Sequence, residues 1–226
     1  MKTISAACLL TLVLTSPLAA QTRRPRPPSP PPPPLPSYPA FAPRAFVEIS
    51  EQQFAAKETF KSVFGESAGP FRGGGVDLVL NRNLFVEISA SQYKKTGQRL
   101  FRSEGKDYRL GIPLSVKVTP IELIGGYRLR LRRWPRVIPY AGIGFGSFKY
   151  EETSQFNTDE ENVDVKKKGL ILVGGAEFRV FRWVGVSLDA HYSHVSDIIG
   201  IGGISQEFKE DDLGGTAARF RVIIGR

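Results

Sequence analysis

Cysteine is almost missing from this chain: Cys8 is the only one among 226 residues. It falls inside an N-terminal stretch with the marks of a secretory signal, so the exported protein is expected to lack disulfides and thiolate metal sites. Ser5-Ala6-Ala7-Cys8 has the outline of a lipoprotein cleavage box, but almost no apolar segment precedes it, which argues against a lipid anchor. Long apolar runs are missing as well. After Ala20 none approaches the ~20 residues of a membrane-spanning helix. This excludes helical spans but not a barrel, whose strands need only ~10 residues with every second one apolar. Gly73-Gly74-Gly75 opens no strand-to-helix turn, so no phosphate-cradling loop is present. Two acidic clusters (Glu151, Glu152, Asp159, Glu160, Glu161, Asp164; and Glu207, Glu210, Asp211, Asp212) lack the spacing and turn glycine of a Ca²⁺ loop. They read as solvated loop surface, partly offset by Lys166, Lys167 and Lys168. Neither a metal nor a cofactor is expected.

What is present begins with a short positive Lys2, an apolar Ala6 to Leu14 and a small-residue exit through Pro17, Leu18, Ala19 and Ala20. Residues 1–20 are therefore read as a cleaved signal peptide. Residues 21–43 form a basic, proline-dominated tail, expected to be extended polyproline II and to act as a semi-rigid spacer. The alternative is a docking ligand for a periplasmic partner. Of the formal charge of +9, four come from Lys2, Arg23, Arg24 and Arg26. The remaining charge is mixed in sign, and export leaves no nucleic acid to bind.

From Arg44 onward the sequence alternates with a period of two, as half-buried strands do. Val184 to His194 shows it most cleanly. Val184, Val186, Leu188, Ala190 and Tyr192 share one face; Gly185, Ser187, Asp189, His191 and Ser193 share the other. Further strands are expected over Ala45 to Glu51, Gly74 to Leu80, Leu84 to Gln92, Ser115 to Leu131, Val137 to Glu151, Leu170 to Val180 and around Ala218 to Ile224. The phase slips once in each long strand, near Pro120 and near Gly146, and a bulge or bend is expected at both places. Short links (Asn81 to Asn83, Arg132 to Arg136, Phe181 to Trp183) alternate with long ones (Gln52 to Gly73, Lys94 to Pro113, Glu152 to Gly169, Val195 to Gly214). Tight periplasmic turns and long outer loops produce this rhythm. The fold expected is all-β: an eight-stranded antiparallel up-and-down transmembrane barrel over residues 44–226, seated in the outer membrane and surrounded by its lipids. Two aromatic girdles are expected, with Trp134, Phe181 and Trp183 at the turn end and Tyr93, Phe148, Tyr150 and Tyr192 at the loop end.

Pro139-Tyr140-Ala141-Gly142-Ile143-Gly144-Phe145-Gly146 resembles a glycine-rich strand of small Gram-negative outer-membrane barrels. Gly174-Gly175-Ala176-Glu177 and Gly214-Gly215-Thr216-Ala217-Ala218-Arg219-Phe220 are similar to that family too. The resemblance covers Arg44 to Arg226. It implies a barrel of the outer membrane protein A transmembrane type, inserted by the barrel-assembly machinery. The chain departs from that pattern by ending in Gly225-Arg226 instead of an aromatic residue.

The polar faces carry Glu48, Asp77, Glu87, Glu122, Arg128, Glu177, Arg179, Asp189, His191, Arg219 and Arg221. Mixed signs pointing inward suggest a lumen filled by ion pairs, since buried charges are tolerated only when paired. Eight strands leave little room beyond those side chains. The function expected is structural or surface-interacting, without chemistry. One enzymatic alternative stays open. His191-Tyr192-Ser193 resembles the His-x-Ser pair of lipid A 3-O-deacylases, which would make His191 the base, Ser193 the nucleophile and Glu207 the orienting acid. His194 replaces the asparagine that follows the serine there, and both side chains fall on the inward face. A soluble periplasmic barrel binding an apolar ligand is the other alternative; it would turn Val186 and Leu188 inward.

Overall fold

The computed structural model describes residues 41–81, 83–103, 106–154, 163–199 and 203–225. The signal, most of the proline tail and Asp159, Glu160 and Glu161 lie outside the described residues. Eight antiparallel strands close on themselves in chain order, with β1 pairing both β2 and β8. They are β1 (Phe41–Phe54), β2 (Ala68–Leu80), β3 (Leu84–Ser103), β4 (Lys106–Arg128), β5 (Val137–Ser154), β6 (Val163–Arg179), β7 (Val184–His194) and β8 (Gly215–Gly225). Helices α1 (Lys57–Phe64) and α2 (Gly203–Phe208) sit in the first and last long links.

Strand β1 begins at Phe41, inside the stretch assigned to the tail, with Phe41 exposed and Ala42 buried. Alternation therefore starts before Pro43, which a strand tolerates near its first residue. The link expected over Lys94 to Pro113 is not a loose loop. Strands β3 and β4 run on as a paired ribbon as far as Ser103 and Lys106, with one register irregularity between Gln98 and Leu100. On β4 to β6 the extension carries surface ion pairs: Lys117 and Lys149 reach Glu151 at 3.0 and 2.9 Å, and Lys149 reaches Asp164 at 3.1 Å. Hydrogen bonds from Lys149 and then Lys117 hold the Glu151 carboxyl below its ordinary range.

No bulge occurs near Pro120 or Gly146. The β4–β5 register passes unbroken from Leu114↔Ser154 to Arg128↔Tyr140. Even-numbered residues of both strands face inward throughout, and what changes is their chemistry. Glu122 and Arg128 lie inside at the turn end, whereas Val116, Val118, Phe148 and Tyr150 lie inside at the loop end. The interior thus switches from charged to apolar along the barrel, and a switch of polarity on one face mimics a slip of phase.

The loop end of the interior is a true hydrophobic core. Phe54 stacks on Phe60 of α1 with centroids 3.9 Å apart, and Tyr93 meets Phe54 and Phe71 at 5.2 and 5.3 Å. Val195, Ile198, Ile199 and Leu213 close the cluster from the last long link. Gly69 makes space for this packing, because a Cβ there would stand 2.4 Å from the Tyr93 ring. Tyr93, Phe148 and Tyr150 are consequently buried and form no outer girdle; of the four residues expected there, only Tyr192 is exposed. At the turn end Trp134, Phe181 and Trp183 are exposed as expected. The outer wall is apolar: Val47, Ile49, Val76, Ile88, Leu123, Ile143, Phe145, Leu188 and Ile224 all point away from the lumen.

Candidate functional site

The charged half of the lumen is built from strand parity. Register places Glu48 of β1 opposite Arg221 of β8, and Asp189 of β7 opposite Arg219 of β8. An arginine ladder on β8 is therefore flanked by carboxylates on both neighbouring strands. Arg221 donates through Nη1 to Glu87 at 2.6 Å and through Nη2 to Asp189 at 2.9 Å, and its Nε lies 4.0 Å from Glu48. Its guanidinium also sits 5.0 Å from the Phe46 ring centroid, close enough for a cation–π contact. Tyr140 donates its hydroxyl to Asp189 at 2.6 Å. One step toward the loops, Arg219 donates to Asp189 at 2.7 Å and approaches Glu122 at 3.5 Å, which His191 also contacts at 3.2 Å.

Toward the turn end a second group forms. Arg44 grips Asp77 through two parallel bonds of 2.7 and 2.8 Å and Glu177 at 2.7 Å, the bidentate geometry that favours arginine over lysine. Arg128 is also bonded to Glu177, while Arg179 lies 3.8 Å from it at the half-exposed mouth. Arg44 extends the set expected from sequence. A void among Arg44, Glu87, Arg128, Tyr140 and Arg221 measures about 10 Å³, at most the space of one water. A wider vestibule of about 200 Å³ opens at the turn-end mouth beside Arg130, Arg179 and Arg182.

The His191, Ser193 and Glu207 arrangement does not assemble. His191 and Ser193 are buried on the inward face, His191 is engaged with Glu122, and the Ser193 hydroxyl has no partner among the described residues. Glu207 is exposed on α2. Nor does the wall have the inverted faces of a soluble ligand carrier, because Leu188 is 59% exposed whereas Asp189 is 4% exposed.

A different constellation, missed from sequence, lies on the outside at the loop-end rim. His194 Nδ1 is 2.7 Å from Asp212 Oδ2, and Ser196 Oγ is 3.0 Å from His194 Nε2. The other Asp212 oxygen accepts the backbone N–H groups of Val195 and Gly214 at 2.8 and 2.7 Å. The signal was available: His194-Val195-Ser196 repeats the His-x-Ser spacing, and even numbers on β7 face outward. Asp212 was unreadable, because an acidic loop cluster does not say which member folds back. Its neighbour Glu210 does so too, accepting the N–H groups of Glu58 and Thr59 at the start of α1 at 3.1 and 2.9 Å.

Eight strands, a packed lumen and an apolar outer wall together define the architecture. The chain resembles small outer-membrane barrels. Neisserial surface protein A aligns with it at 10% identity and a TM-score of 0.47, over 82% of this chain and 96% of that one. The Yersinia pestis attachment invasion locus protein, Ail, aligns at 13% identity and a TM-score of 0.45, over 82% and 96%. The N-terminal barrel domain of Pseudomonas aeruginosa OprF aligns at 11% identity and a TM-score of 0.44, over 81% and 97%. These likenesses concern the fold alone. No family model matches the chain, and no curated protein matches it by sequence.

Proposed function

We propose that this protein is an outer-membrane barrel that does not conduct, serving as a structural scaffold that holds its loop-end surface at the membrane exterior. The observation that supports this reading is the reversal of faces: apolar side chains outside, ion pairs and an aromatic core inside. In water that arrangement would expose a wide apolar belt, which soluble monomers avoid. In a bilayer the belt is solvated by lipid, and closure leaves no unpaired strand edge. The proline-rich tail, in this reading, is a periplasmic spacer or docking segment, because an even strand count returns both barrel ends to the periplasmic side. Insertion would pass through the barrel-assembly machinery.

Cell fractionation tests the proposal. The protein is expected in the outer membrane, to need detergent for extraction, and to migrate differently on gels before and after boiling. Recovery in the soluble periplasmic fraction would refute it.

A further inference from the structure

The rim constellation has the components of a nucleophilic hydrolase, and they occur in a working order. Asp212 is fixed by two backbone N–H donors, so its remaining oxygen can accept from Nδ1 of His194 at 2.7 Å. That hydrogen bond selects the tautomer with an unprotonated Nε2, which then faces the Ser196 hydroxyl at 3.0 Å. A positioned acid, a base and a hydroxyl in series form the arrangement that activates serine. The residue after the serine, Asp197, holds φ at +57°, a backbone state that costs free energy for a non-glycine residue.

The surroundings indicate the substrate. Ser196 and His194 line a shallow groove of about 420 Å³ on the outer wall with Phe145, Lys168 and Leu170. His194 pairs across the sheet with Leu170, which pairs with Phe145; Leu172 and Ile143 continue this exposed apolar track toward the turn end. Lys168 and Lys166 lie on the same outward face of β6, toward the loop end. An acyl chain could lie along the track with an anionic headgroup at the lysines, and its ester would then fall at the triad.

The geometry points to Ser196, His194 and Asp212 as nucleophile, base and orienting acid of a site that cleaves acyl esters of anionic membrane lipids. Ser196 Oγ attacks the ester carbonyl carbon while His194 Nε2 takes its proton. The tetrahedral adduct collapses with loss of the alkoxy group, which leaves as the alcohol with the proton from His194. Water, deprotonated by His194, then attacks the acyl-serine, releasing the fatty acid and restoring the Ser196 hydroxyl. Ester and water become acid and alcohol. The site goes beyond the scaffold reading and replaces the expectation of no chemistry; it depends on membrane insertion only for its class of substrate.

The test uses the full-length protein folded in detergent, with folding of each variant checked by heat-modifiable migration. A fluorophosphonate probe is expected to label Ser196, mapped by peptide mass. Label is expected to vanish in Ser196→Ala and persist in Ser193→Ala. Fatty-acid release is then measured in two arms: micelles containing phosphatidylglycerol, and micelles containing a phosphorylated, ester-acylated glycolipid. Release in either arm supports the proposal and names the source of the ester. Ser196→Ala and His194→Ala are expected to lower release by at least ~1000-fold. Lys168→Glu is expected to raise KM for the anionic lipid with little change in kcat. Absence of label, labelling without release in either arm, or release that survives Ser196→Ala would each overturn the proposal. Labelling is independent of membrane location, so its result separates failure of the triad from failure of the membrane reading.

Discussion

Arg221 makes a demanding set of contacts, because one guanidinium is shared among Glu87, Asp189 and the more distant Glu48. Removing it leaves the Glu87 and Asp189 carboxylates buried without the cation that pairs them. Arg221→Met is expected to destabilise the folded barrel by about 3–5 kcal/mol, measured by urea unfolding in detergent. Adding Glu87→Gln should recover part of that loss, since it neutralises one stranded charge; no recovery would mean the two residues are not energetically coupled. Ser187 gives the contrast. Its hydroxyl is buried without a partner among the described residues, so Ser187→Ala should be neutral or slightly stabilising. Parity alone assigns Ser187, Asp189, His191 and Ser193 to the inward face of β7. It cannot say which arginine each carboxylate meets, because Asp189 meets Arg219 and Arg221 through the β7–β8 register, while pairs such as Arg221–Glu87 and Arg219–Glu122 join strands that are not neighbours.

Strand β7 matches the residues read from sequence because its polarity alternates without interruption. Strands β4 and β5 do not, because periodicity assumes that one face keeps one chemistry along its length. Where Val116, Val118, Phe148 and Tyr150 turn into an apolar core, that assumption fails and a false bulge results. Placing Tyr93 in a lipid-facing girdle follows from its position toward the loop end of β3, whereas its odd number puts it on the inward face with Glu87 and Ser89, where it packs against Phe54 and Phe71. The core itself depends on α1, which has no alternating pattern to announce it. Two substitutions distinguish the faces. Leu188→Arg places a charge on the exposed outer wall and should cost ~2–4 kcal/mol near the bilayer midplane. Phe54→Ala removes a fully buried ring and should cost about 3–5 kcal/mol. Folding into bilayers of different thickness should leave the Phe54→Ala penalty almost unchanged; a strong dependence on thickness would place Phe54 at the lipid interface instead.

At the scale of the whole molecule the lumen has two seals in series. The ion-pair layer occupies the turn-end half, leaving a void of about 10 Å³ among its side chains and a vestibule of about 200 Å³ at the mouth. The aromatic core lies across the loop-end half, beside a cavity of about 420 Å³ that Phe60, Val116, Tyr150, Ile198 and Ile199 line. They resist ions by different means: the first occupies the lumen with paired charges, and the second excludes water. Current through the barrel requires both to be breached, as resistances in series add. The wild-type protein in a planar bilayer is therefore expected to show no discrete conductance steps. Charge-removing changes in the ion-pair layer, such as Arg221→Ala with Glu87→Ala, should still give none, because the aromatic core remains. Truncating the core alone, through Phe54→Ala with Phe60→Ala, should likewise leave the ion pairs in place. Only a variant carrying all four changes should show steps, provided that it still folds by heat-modifiable migration. Steps from the wild-type protein would refute closure altogether. Steps from the ion-pair variant alone would mean that the apolar half does not seal, leaving the salt-bridge layer as the gate.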